Sequence, residues 1–181
     1  MNNDMKKRLG NYINTDVIIS IYSDESDPDK YVLGYILQMD DNYILINMIN
    51  RYGEEDGFCI IHLDDVFIFD DDKIYSGKVL KLFNLKNQNR RYMEFPNNNV
   101  IQNLLKYAKD NKHLVEVNED NSYIGFVTYF SDKTMELDLI DIYARRIGLA
   151  CIDMSHIKKI ELQSKYLNDL ELLLQNHSNI K

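Results

Sequence analysis

The sequence has no tryptophan, two cysteines, two prolines and seven glycines in 181 residues. Each scarcity excludes something. Cys59 and Cys151 lie far apart and outside any CxxC pair, so neither a thiolate metal site nor a disulfide framework is expected. So few prolines and glycines argue against long structureless tracts. No run reaches the roughly 18 apolar residues that a membrane-spanning helix needs, and no membrane partner is expected. Residues 1–10 are polar and lack the apolar stretch of a secretory leader, which predicts a cytoplasmic location.

Chemistry-bearing motifs are missing as well. There is no HExxH, no GxSxG and no glycine-rich phosphate loop. His62, His113, His156 and His177 stand singly, without ligand spacing. Asp70-Asp71-Asp72 lacks the alternating ligands and central glycine of a calcium loop and reads as a turn, with Asp72 capping a helix. No catalytic residue, no metal and no cofactor are expected, and the chain reads as a non-enzyme.

What the sequence does contain is a repeat. Shifted by 91 residues, positions 34–82 align with 125–173 without a gap, with eight identical pairs, among them Gly34/Gly125, Gly57/Gly148, Tyr52/Tyr143 and Tyr75/Tyr166. Apolar positions recur in the same register, for example Ile36/Val127, Ile46/Leu137 and Val66/Ile157. Each copy reads as five short strands. In the first copy these are 17–22, 31–39, 43–49, 57–63 and 66–69. In the second they are 114–117, 122–130, 134–140, 148–154 and 157–160. Gly34 and Gly125 fall inside strands of bulky residues, where glycine marks a bend or a close approach of backbone. The runs GFCIIHL and GLACIDM are apolar on both faces and are expected to be covered on both sides. Tyr75 and Tyr166, just after the last strands, are expected to cap the ends of the modules. Helical periodicity marks 98–111 and 164–174, with weaker signals at 4–12 and 74–83.

A short helix followed by five bent strands, with GYILQMDDNYILINM in one copy and GFVTYFSDKTMELDL in the other, resembles the Sm-like fold of the Sm and Hfq proteins. The resemblance implies two tandem five-stranded small barrels with flanking and connecting helices. The first module covers 1–83, a connector 84–97, and the second module 98–181. It also implies RNA binding, although Leu45 and Glu136 stand nearest the place of the family's RNA-reading asparagine.

Charge points elsewhere. The chain carries a formal net charge of −8, which disfavours unselective nucleic-acid binding, because counterion release needs clustered cations. Residues 17–83 hold 14 acids against 5 bases, and 113–174 hold 11 against 6. Residues 84–112 reverse the sign, with six bases against two acids. The expected function is therefore a protein-interaction, inhibitor or regulatory module that meets a basic partner protein, with self-association as a further option. The alternative is a nucleic-acid binder using Arg90, Arg91, Lys106, Lys109 and Lys112. The acidic loop 23–30 occurs only in the first copy.

Overall fold

A computed structural model describes residues 1–27, 29–93, 95–96, 98–118 and 122–178, with the side chains of 177 and 178 excepted. Pro28 of the acidic loop, Glu94 and Asn97 of the connector and the His177 side chain therefore lie outside the described residues. The chain divides into two units, Met1–Val100 and Ile101–Lys181. The described residues of the 84–97 connector fall within unit 1.

Unit 1 runs α1 (Asn3–Gly10), β1 (Ile19–Tyr22), β2 (Val32–Met39), β3 (Tyr43–Ile49), β4 (Glu55–His62), β5 (Ile68–Asp70) and α2 (Lys73–Leu85). Unit 2 runs α3 (Val100–Asn111, its first residue at the boundary), β6 (Leu114–Val117), β7 (Tyr123–Phe130), β8 (Thr134–Ile140), β9 (Arg146–Asp153), β10 (Lys159–Leu162) and α4 (Lys165–Ser178). Both are antiparallel, in the orders β5-β1-β2-β3-β4 and β10-β6-β7-β8-β9. Among the described residues, no ladder within either unit joins the first and last strands of these orders, so the expected closed barrels are corrected to open sheets. The last strands, β5 and β10, are only three and four residues long and pair with the opening strands β1 and β6.

The registers of the two units correspond residue by residue. Gly34 faces Met48 and Gly125 faces Leu139, and both ladders slip at the same place, between Ile36 and Gln38 and between Val127 and Tyr129. The β3–β4 turn of unit 1 is held by Asn50 Oδ1, which accepts the Tyr52 and Glu54 amides at 3.0 and 3.1 Å. Asp141 Oδ1 does the same for Tyr143 and Arg145, at 2.9 Å each. A short 3₁₀ turn follows the fourth strand in both units. His62 caps one through its ring nitrogen and Asp153 caps the other through its carboxylate, so two unlike side chains at aligned positions do one job. One histidine is thereby accounted for structurally.

The core of unit 1 gathers Leu9 of α1 with Ile19, Ile21, Ile36, Ile44, Ile46, Cys59 and Ile61 from one sheet face. The other face, through Leu33 and Tyr35, packs on Val79 and Phe83 of α2. In unit 2, Leu167 and Leu170 of α4 pack on Leu114, Ile124 and Ile140. Helix α2 starts where Asp72 accepts the Ile74 and Tyr75 amides. Asp72→Ala should lower the stability of unit 1 by about 1 kcal/mol; a urea midpoint equal to the parent's would show that α2 does not need this cap.

Candidate interaction face

The face of interest lies over the second, third and fourth strands of each unit, and the two units use it differently. In unit 1 it is occupied by the chain itself. After α2 the backbone turns through Asn87, which takes a positive φ of 54°, and the following residues pack on the sheet. The Arg90 guanidinium lies over the rings of Tyr35 and Tyr92, at 4.6 and 4.8 Å from their centroids, and its Nη1 donates to the Thr15 carbonyl at 2.8 Å. Its side chain is only 9% exposed. Nε and Nη2 have no hydrogen-bond partner among the described residues, and the two aromatic faces take the place of acceptors.

Arg91 makes the second set of contacts. Its backbone amide donates to Oδ1 of Asn47 at 2.9 Å. Its guanidinium reaches Glu55 at 3.5 Å and lies 4.8 Å over the Phe58 ring. Asn47 is wholly buried and completes its bonding by donating to Glu55 at 2.8 Å and to the Gly57 carbonyl at 2.9 Å. Lys86 pairs with Glu54 at 2.8 Å. The connector is thus an internal peptide ligand of unit 1, and its cations meet acids.

In unit 2 the same sheet positions carry other residues. Tyr35, Asn47, Glu54, Glu55 and Phe58 are replaced, 91 positions on, by Phe126, Asp138, Arg145, Arg146 and Leu149. The partly buried Asn47–Glu55 hydrogen bond becomes an Asp138–Arg146 salt bridge, and Arg145 pairs with Asp141 at 2.6 Å. Hydrogen bonding from Arg145 holds the Asp141 carboxyl below the usual carboxylate range. Phe126, Asp138 and Arg146 line a cavity of about 440 Å³, together with Lys109 and Lys112 at the end of α3 and Glu171 of α4. Glu171 is committed to the Leu114 amide at 2.7 Å and to the His113 ring at 3.3 Å.

Strand β9 departs from the expectation that it is covered on both sides. Leu149 is 74% and Ile147 61% exposed, whereas Phe58, Cys59, Ile60 and Ile61 of β4 are at most 1% exposed. The two strands are alike in sequence, so apolar pattern alone could not separate them. Tyr143 and Ile142, in the turn leading into β9, are exposed too. Replacing Leu149 by lysine should leave the thermal midpoint of the chain within about 1 °C of the parent, since an exposed position contributes little to stability; a clear drop would mean that Leu149 is part of the folded core.

The basic residues expected to act together do not share one role. Arg90 and Arg91 are consumed inside unit 1. Lys106 pairs with Asp110 at 2.6 Å. Lys109 lies 5.9 Å from the Phe130 ring, and neither it nor Lys112 has an ion pair among the described residues. Gly57 and Gly148 both take positive φ, 80° and 139°. Tyr75 packs edge-on against Tyr31 at 5.9 Å, while Tyr166 is 45% exposed. Sequence reasoning missed Asn47, although an amide within the apolar run YILINMI was the available signal. Among the described residues no cluster of three potential ligands is placed to hold a metal, and no helix is long and apolar enough to cross a membrane. No family model, curated protein or solved structure matches the chain.

Proposed function

We propose that the chain is two divergent copies of one Sm-like module and works as a non-enzymatic protein-interaction module of the inhibitor or regulatory kind, with unit 2 as its binding side. The matched registers and turns of the two units support the common module. One observation carries the function: residues buried in β4 have exposed apolar counterparts in β9, next to a cavity. An exposed apolar strand invites pairing with other chains, and proteins ordinarily blunt or cover one. A partner protein supplies that cover by adding backbone and side chains to the face.

Nucleic acid is the second reading. It retains Lys109 and Lys112, but Arg90, Arg91 and Lys106 already have partners within the chain.

Site-specific photo-crosslinking tests the proposal. A benzophenone side chain at position 149 should give one adduct with a different protein in cells that make this chain, and a label at exposed Ile74 should not. Unlabelled parent should suppress the adduct and Leu149→Lys should not. Equal labelling from both positions, or an adduct with RNA alone, would refute the reading.

A further inference from the structure

We infer that the cavity of unit 2 is a docking site for an extended, acidic segment of a partner protein, seated as the connector is seated on unit 1. The inference rests on the interaction reading above and adds the chemistry of the ligand. Three residues that hold Arg90 and Arg91 in unit 1 are Tyr35, Asn47 and Glu55. Their counterparts Phe126, Asp138 and Arg146 all line the cavity. Phe58, which the Arg91 guanidinium covers, corresponds to Leu149, exposed to 74%. One unit therefore displays the bound form of a peptide and the other displays the surface on which such a peptide sits.

Backbone recognition is retained between the two. Asn47 uses a side-chain oxygen to accept the Arg91 amide, and Asp138 has carboxylate oxygens at the same position. An aromatic ring is retained as well, as Phe126 for Tyr35. Charge recognition is inverted. Glu54 and Glu55, which pair with Lys86 and Arg91, become Arg145 and Arg146, exposed to 67% and 68%. Lys109 and Lys112 add two further cations at the cavity, and both of its carboxylates are already engaged, Asp138 with Arg146 and Glu171 with the Leu114 amide. Arg145 and Arg146 are each paired, with Asp141 and Asp138, yet stay about two-thirds exposed. A segment that brings Asp or Glu where the connector brings Lys86 and Arg91 can therefore share these cations and meet Lys109 and Lys112, which have no ion pair among the described residues, while the connector's own sequence would meet like charge. Placing like charges together discriminates against the wrong ligand as effectively as new contacts favour the right one. The net acidity of the chain points to a basic partner, but the charges around this cavity select an acidic segment.

The probes are two peptides with the sequence of residues 86–93. One is unaltered, and the other carries Lys86→Glu and Arg91→Glu. Calorimetry with the full chain should show one site per chain for the acidic peptide and about tenfold weaker binding of the unaltered one, which is two surface charge pairs' worth of discrimination. The variant Asp138→Asn/Arg145→Glu/Arg146→Glu recreates the unit 1 residues and should reverse the preference. Lys109→Glu/Lys112→Glu alters only exposed side chains, so it should fold normally and lose about tenfold for the acidic peptide.

Failure to bind either peptide, equal binding of both, or a preference unmoved by both variants would overturn the inference. So would sedimentation showing that the face is covered by a second copy of the chain. A heterologous adduct at position 149 combined with no peptide binding would leave the interaction reading standing and remove the acidic segment. Absence of the adduct with selective peptide binding would do the reverse for the cellular partner.

Discussion

Valine in place of Gly34 is expected to destabilise unit 1 by about 3 kcal/mol, at the upper end of overpacking costs. A Cβ at this position would be driven into the carbonyl oxygen of Asn47 on the neighbouring strand and against the Ile46 side chain. The carbonyl belongs to a paired backbone and cannot turn aside without breaking the β2–β3 ladder. Gly125→Val should cost somewhat less, about 2 kcal/mol, because a Cβ there would lie 2.5 Å from the Asp138 carbonyl oxygen, with Leu139 Cα at 3.2 Å. Valine has the better strand propensity, so an ordinary strand position would give a neutral or stabilising change. Urea melts of the two variants check this. A midpoint equal to or above the parent's would mean that the strands can move apart and that the repeated glycine has no structural cause.

Removal of the Asn47 amide should have a comparable effect through a different mechanism. In Asn47→Leu the Arg91 amide loses its acceptor, and the Gly57 carbonyl and Glu55 each lose a donor. Leaving buried polar groups unpaired costs about 1–3 kcal/mol each when water cannot replace the partner. A total loss of about 3 kcal/mol is expected after partial relaxation, and the connector should come away from the sheet. Trypsin should then cut after Arg90 and Arg91, bonds that the folded parent protects. The counterpart Asp138→Leu should cost only about 1 kcal/mol, since its partner Arg146 is mostly exposed and can return to water. Equal losses in the two variants, or an Asn47→Leu protein as resistant to trypsin as the parent, would show that the network does not hold the connector.

Much of the fold was legible because the repeat fixed a register. Once Gly34 was set against Gly125, the strands 31–39 and 43–49 could be matched with 122–130 and 134–140 from their apolar pattern, whereas the turns held by Asn50 and Asp141 emerge only in the fold. Closure into barrels was not legible, because it depends on which partner a three-residue strand such as β5 chooses. The position of the connector was hidden for a related reason. In the sequence Arg90 and Arg91 read as part of a basic connector and as nucleic-acid contacts in the alternative reading, and only the fold brings Tyr35, Glu55 and Phe58 beneath them. The exposure of β9 was hidden most completely. GFCIIHL and GLACIDM are equally apolar, and nothing within either run records that one is buried and the other exposed.

Net charge does not describe the same place. Acids outnumber bases in both modules, yet the exchange of Glu54 and Glu55 for Arg145 and Arg146 reverses the sign locally. The reversal can be seen by aligning the two copies, but its meaning depends on knowing that Lys86 and Arg91 sit against the glutamates. The sequence carries the letters of the site and the fold supplies their pairing.

Amide hydrogen exchange with the acid-substituted 86–93 peptide tests most directly whether unit 2 offers the face that unit 1 has already filled. At saturation, protection should rise in β7, β8 and β9 and at the end of α3, with β2 to β4 of unit 1 unchanged. Protection on unit 1, or none on β9, would contradict it.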